Sequence, residues 1–178
     1  MSFRSRAPLR LTATLALVAA LAACGGGSPD VASRAAPASA ALYPGETPEM
    51  RRMIRRAAAE HDIPELLLHR VIQRESDYRP RARNGPYWGL MQIKVQTART
   101  MGFRGAPEEL LNPEVNLRYA GRYLRGAWLV ADGDIDRAVM WYARGYYYEA
   151  RNRCMLRETG LLNREIRRDC DARRGRRS

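Results

Sequence analysis

The stretch that most limits the fold of this chain is an apolar helical run that ends in an acid and is then barred from continuing. Between Ile63 and Ile72 the apolar residues recur with a helical period. Leu67, Val71 and Glu75 lie four apart, with Leu68 and Ile72 beside them. Glu75 therefore continues the apolar stripe of its own helix and points toward the core side. Two breaks follow, at Tyr78-Arg79-Pro80 and at Asn84-Gly85-Pro86. The residue before a proline avoids the helical region, and Asn-Gly favours a turn. The chain then reaches a compact string, Gly89-Leu90-Met91-Gln92-Ile93.

A carboxyl in that position has predictable chemistry. Burial disfavours its charged form, and so does the negative end of the helix macrodipole, so both raise its pKa. A glutamic acid that keeps its proton near neutrality can act as a general acid. Taken alone, Glu75 also reads as an acid paired with Arg74 or Arg79 on a solvated helix end.

The rest of the chain reads as further short helices. Thr47-Pro48-Glu49 supplies a cap, a first-turn proline and an acid for a helix to about Glu60, with Met50, Met53, Ile54 and Ala57 on its apolar side. Pro64 opens the helix that carries Glu75. Gln92 to Met101 reads as a short helix stopped by Gly102. Asn112-Pro113-Glu114 repeats the cap signature for a longer helix to about Ala131, with Leu117, Ala120, Gly121, Leu124 and Trp128 along one side. Asp132-Gly133-Asp134 caps a helix from Ile135 to Tyr142, and Tyr146 to Arg157 and Asn163 to Arg173 follow with weaker periodicity. No stretch alternates as a strand would, and there is no internal repeat. The expected class is mostly α, with about five to seven short helices.

Charge and the N-terminus bear on partners. The chain carries 31 Lys+Arg against 19 Asp+Glu, a net charge of +12, and every basic residue but Lys94 is arginine. Such a surface suits an acidic polymer or an anionic membrane face. Nucleic acid is the usual partner for this composition, but the start of the chain argues against it. Arg4, Arg6 and Arg10 precede an apolar run from Leu11 to Leu21, the pattern of a secretory signal and too short for a membrane span. Its end, Leu21-Ala22-Ala23-Cys24, resembles the lipobox of bacterial lipoproteins, which implies a lipidated Cys24 as mature N-terminus. Gly25 after that cysteine, in place of an Asp, resembles sorting to the outer membrane. Residues 1–23 are thus expected to be a signal peptide. Residues 24–46 follow as the lipidated cysteine and a Gly/Ser/Ala/Pro tether with a reach of roughly 25 Å. Residues 47–178 form the domain, ending in a basic tail from Arg164 to Arg177.

Glu75-Ser76, a loop of this length and Gly89-Leu90-Met91-Gln92, in this order, resemble the soluble lytic transglycosylase (SLT) family. These are lysozyme-like enzymes that cleave the glycan strands of bacterial peptidoglycan, and the resemblance covers Pro48 to Gly145. It implies a lysozyme-like helical domain and peptidoglycan strands as partner, with no cofactor. It implies that Glu75 protonates the MurNAc-GlcNAc glycosidic oxygen and then takes a proton from the sugar's own 6-hydroxyl, leaving 1,6-anhydroMurNAc ends. Ser76 falls where the family fixes the loop, and Met91 and Gln92 fall at substrate-contacting positions. A Gln there can donate to and accept from an N-acetyl group. Asn116-Leu117 and Tyr123-Leu124 resemble a family segment that packs on the catalytic helix. Trp141-Tyr142-Ala143-Arg144-Gly145 falls where relatives have Ala-Tyr-Asn-Ala-Gly. Tyr142 is then the expected hydroxyl on Glu75 or substrate, while Ala143 stands in place of the Asn.

Most glycoside hydrolases use two carboxylates. Here Asp62 and Asp77 are the acids nearest in sequence, and neither belongs to a motif. A lysozyme-type hydrolase on the same site, and a peptidoglycan-binding lipoprotein with little turnover, are the alternative readings. Tyr87, Trp88, Tyr142, Tyr146, Tyr147 and Tyr148 offer rings for sugar stacking or for core filling. His61 and His69 have no ligand-spaced partners, so no metal site is expected. With Cys24 lipidated, Cys154 and Cys170 remain as a possible disulfide in an oxidising compartment, or as two free thiols.

Overall fold

Side-chain caps open the helices where the sequence places them. Thr47 Oγ1 accepts the Met50 N–H (3.2 Å) to start α1, Pro48–His61. Asn112 Oδ1 accepts from Glu114 and Val115 (2.9 and 3.3 Å) to start α4, Pro113–Val130. Asp134 Oδ1 accepts from Arg137 (2.8 Å) to start α5, Ile135–Arg144. Each side-chain oxygen satisfies N–H groups that have no partner within the helix. The computed structural model describes residues 41–170. The signal segment, Cys24, most of the tether and the last of the basic tail lie outside the described residues.

Six α-helices dominate the described residues: α1, α2 (Glu65–Glu75), α3 (Val95–Thr100), α4, α5 and α6 (Tyr147–Asn152), with a 3-10 turn at Pro107–Leu111. The class is mostly α, as expected. The long α4 is the centre, with α1 and α5 packed on it, and α2 packs on both α1 and α5. The stripe Leu67, Leu68, Val71 and Ile72 of α2 is fully buried, as are Ile54, Leu90, Met91, Leu110 and Leu124 from the other elements. Removing one such leucine side chain would cost about 2–5 kcal/mol, since the surroundings close only partly around the void. Among the described residues no helix is long and apolar enough to cross a membrane.

The absence of strands is corrected. Arg83–Asn84 (β1), Tyr87–Trp88 (β2) and Ile93–Lys94 (β3) form a small antiparallel sheet in the order β1-β2-β3, with Asn84 opposite Tyr87 and Trp88 opposite Ile93. Strands of two residues are too short for alternation to register in sequence. The sheet also corrects the third helix, expected from Gln92. Gln92 takes a left-handed φ of 47° and Ile93–Lys94 pair with β2, so α3 begins only at Val95.

Beyond α5 the periodicity overstated helix. α6 ends at Asn152, because Cys154 adopts a left-handed φ of 59° and Arg153 turns its guanidinium to Val130 O (2.6 Å) and Asp132. Residues 163–169 form bends and turns rather than helix. There the Glu165 carboxylate accepts the N–H groups of Leu156 and Arg157 (3.2 and 3.0 Å), side-chain bonds that compete with helical ones. Cys154 and Cys170 are joined as a disulfide across this segment. Closing a loop with a sequence separation of 16 is worth roughly 3 kcal/mol in the chain-entropy account.

Candidate active site

Glu75 is the last residue of α2, and the chain leaves it abruptly. The Ser76 and Asp77 N–H groups both return to Ile72 O (3.0 Å each), and Asp77 and Tyr78 then take left-handed φ values of 51° and 58°. Ser76 is buried and its Oγ donates to Leu90 O (2.6 Å). The hydroxyl thus ties the end of α2 to the Gly89-Leu90-Met91-Gln92 turn, and it faces that turn rather than a ligand.

A side chain of α4 also holds that turn. Asn116, fully buried inside α4, accepts the Met91 N–H at Oδ1 (2.8 Å) and donates through Nδ2 to Trp88 O and Leu110 O (2.9 Å each). Gly89, at φ +72°, lies so close that an added Cβ would stand 2.3 Å from Asn116 Nδ2 and 2.2 Å from Leu110 O. Only glycine satisfies both the backbone angle and the approach. Asn116 was expected merely to belong to a packing segment. A buried polar residue inside an otherwise apolar helix stripe was the signal available for its larger role.

Around Glu75 the fold opens a cleft of about 730 Å³ lined by Glu75, the loop from Tyr78 to Asn84, and Gln92. A smaller adjoining cleft of about 150 Å³ shares Gln92 and adds Tyr87, Lys94, Tyr142 and Ala143 among its walls. The Glu75 side chain is 23 % exposed, and Arg74 Nε lies 3.6 Å from its carboxyl. Burial pushes the Glu75 carboxyl above the usual carboxylate range, and the Arg74 charge offsets part of that. No second acid lines either cleft. Asp77 is exposed outside their walls, and Asp62 pairs with Arg125 (3.2 Å).

The other motif residues divide between core and cleft. The Met91 side chain is fully buried, so it packs in the core rather than facing a ligand. Its carbonyl accepts the Tyr142 hydroxyl (2.8 Å), so that hydroxyl bonds the turn and not Glu75. Tyr142 is nonetheless near the acid. Burial raises its pKa well above the ordinary tyrosine value, and the negative charge of an ionised Glu75 raises it further. Gln92 does line both clefts, but its Nε2 donates to Ala82 O and Gly89 O (3.1 and 2.8 Å). What it can offer a ligand is therefore Oε1, an acceptor. Tyr87 is exposed on the smaller cleft, whereas Trp88 is buried and Tyr146 is core, its hydroxyl on Tyr123 O (2.8 Å).

The histidines are structural: His61 bonds Leu117 O (3.1 Å), and His69 bonds the Tyr78 hydroxyl and Glu65 (2.7 and 3.2 Å). Cys154, Asp169 and Cys170 cluster within 4.8 Å, but the two sulfurs are bonded to each other and offer no thiolate.

The family model described as the transglycosylase SLT domain matches residues 52–154, which span every wall of both clefts. The chain belongs to the transglycosylase SLT domain family. Its helical fold is that of this lysozyme-like domain. The SLT chain is also 33 % identical over 98 residues to the peptidoglycan transglycosylase gp16 of Escherichia phage T7. That match covers 52 % of this chain and 7 % of the phage protein's length, so it concerns one domain of a much larger molecule. No solved structure matches.

Proposed function

We propose that this SLT domain is a peptidoglycan lytic transglycosylase. In this reading Glu75 protonates the glycosidic oxygen between MurNAc and GlcNAc. The glycosidic bond breaks with oxocarbenium character at the muramoyl carbon. Glu75, now a carboxylate, then removes the proton of the same sugar's 6-hydroxyl, whose oxygen closes on that carbon. The product is a 1,6-anhydroMurNAc end, and the proton balance returns Glu75 to its starting state. The observation that carries the reading is a half-buried carboxyl of raised pKa at the end of α2, facing a cleft in which no other acid stands. One group doing both transfers needs no partner acid. Met91 and Ser76 serve by shaping the turn, Gln92 Oε1 accepts from an N-acetyl N–H, and Tyr142 holds the Met91 carbonyl.

Digestion of sacculi followed by mass spectrometry tests this. Wild-type protein should release ends lighter than the hydrolytic product by one water, and Glu75→Gln should lower turnover by about 10²- to 10⁴-fold or more while the protein still folds. Reducing ends would make the enzyme a lysozyme-type hydrolase, and an active Glu75→Gln would move the site elsewhere.

We also propose that Cys24 is lipidated after removal of residues 1–23, placing the domain in the periplasm on a membrane-anchored tether, with the outer membrane as its address. Leu21-Ala22-Ala23-Cys24-Gly25 supports this. Cys24→Ala should move the protein from the membrane fraction to the soluble one, and retention on membranes in high salt would refute the anchor.

A further inference from the structure

The cleft beside Glu75 carries three arginines against a single acid. Arg79, Arg81 and Arg83 occupy alternate positions of the loop and all three line the cleft, against Glu75 as its one acid. On α1, by contrast, Arg51, Arg52, Arg55 and Arg56 each stand within ion-pair distance of a glutamate. Among the described residues no carboxylate pairs with the three cleft arginines.

Two of the three are nevertheless held in place. Arg79 Nε donates to Ser76 O (2.8 Å), which leaves its two terminal nitrogens unused. The Arg83 guanidinium lies 3.8 Å over the Trp88 ring, an arrangement that leaves its edge donors open. Arg81 is exposed between them. A carbonyl or a ring anchors a guanidinium without neutralising it, and a fork so positioned loses less freedom on meeting a planar anion. A cleft lined by one sign of charge also concentrates the opposite sign.

We propose that Arg79, Arg81 and Arg83 bind the free carboxylates of the peptide stems, so that the preferred substrate is a glycan strand whose stems are present and unamidated. This rests on the peptidoglycan reading of the cleft. In a stem-bearing strand the lactyl carboxyl of each muramoyl residue is consumed in the amide to its stem, so the anionic groups on offer belong to the peptide. The guanidinium forks match carboxylates bidentately, which neutral sugar hydroxyls cannot do.

The experiment measures binding of full-length Glu75→Gln protein to soluble strands of one length in three forms: intact, with stem carboxyls amidated, and stripped of stems so that lactyl carboxylates are free. Amidation and stripping should each weaken binding about tenfold, as expected for loss of charge-assisted pairs. Arg81→Gln should reproduce that loss on intact strands and add nothing on amidated ones, and Arg81→Lys should recover part of it. Arg83→Gln serves as a second variant. Equal affinity for intact and amidated strands overturns the proposal, as does an Arg81→Gln loss of the same size on both. Stripped strands that bind as tightly as intact ones would assign recognition to the lactyl group and overturn the stem. Because binding is read on the Glu75→Gln protein, these outcomes are separate from a failure of the activity reading, which would show as wild type cleaving neither intact nor amidated strands.

Discussion

Glu46 and Glu75 are both withdrawn from water, one against the first half of α2 and the other at its last residue, yet their carboxyls shift in opposite directions. For Glu46 burial is the largest influence and acts to raise the pKa. The net shift is downward because Arg51 donates from Nε (2.6 Å) and Nη2, the Tyr43 N–H donates at 3.0 Å, and His69 lies 3.9 Å away. For Glu75 burial again comes first and prevails, since Arg74 is the only charged partner near it among the described residues. The difference shows that donors aimed at a carboxyl, rather than burial as such, decide its charge state. Behind α2 the fold surrounds its buried carboxyl with donors, whereas in the cleft it leaves Glu75 with Arg74 alone and, among the described residues, three arginines with no carboxylate partner.

The largest effect is expected when Glu46 is made to resemble Glu75. Arg51→Met removes the main donor and leaves a buried carboxylate uncompensated, so stability should fall by about 3–5 kcal/mol. Urea denaturation with the slope unchanged measures it. Acid should sharpen the same point. Glu46 has a folded-state pKa below its unfolded one, so its contribution is fully present above the unfolded value and is lost as pH falls through the folded value. Wild type should therefore lose stability on acidification through that range, and an Arg51→Met, Glu46→Gln protein should lose less. An equal acid dependence in both would show that this pair is not what titrates.

A smaller effect is expected on the cleft side of α2. Asn116→Ala removes the acceptor of the Met91 N–H in the turn at Gly89–Gln92, leaving that N–H unpaired, and the donations to the flanking Trp88 O and Leu110 O. Unsatisfied buried groups cost about 1–3 kcal/mol. Turnover should fall more than stability alone explains, since Ser76, Met91 and Gln92 are positioned through this turn. Variant activity measured well below its melting temperature checks this, and activity matching wild type there would reduce Asn116 to a packing residue.

The helices and the acid were legible because both rest on local rules: caps before prolines at Thr47 and Asn112, and a stripe through Leu67, Val71 and Glu75. What the sequence hid depends on contacts between distant segments. The bond from Asn116 to Met91 spans α4 and the loop, and the Tyr142 hydroxyl reaches Met91 O across 51 residues, so neither is written in a local pattern. The small sheet is fixed by pairing between Trp88 and Ile93 rather than by propensity. Met91 illustrates the limit from the other side. Its motif is a local pattern, but the direction of its side chain is set by the core it meets.

The smallest effect is expected at Arg74, the one cation among the described residues that acts on Glu75. Its charge favours the ionised carboxyl and so partly opposes burial. A general acid works only while protonated, so the alkaline limb of the kcat/KM profile reports Glu75 in the free enzyme. Arg74→Gln removes the opposing charge and should move that limb to higher pH. The shift should be small, since the Arg74 side chain is 54 % exposed and solvent screens it. Salt added to the wild type should move the limb the same way and move it less in the variant. Arg56→Gln, whose partner Glu114 lies outside both clefts, should leave the limb where it is. A limb that fails to move in Arg74→Gln, or that moves to lower pH, belongs to a group other than Glu75.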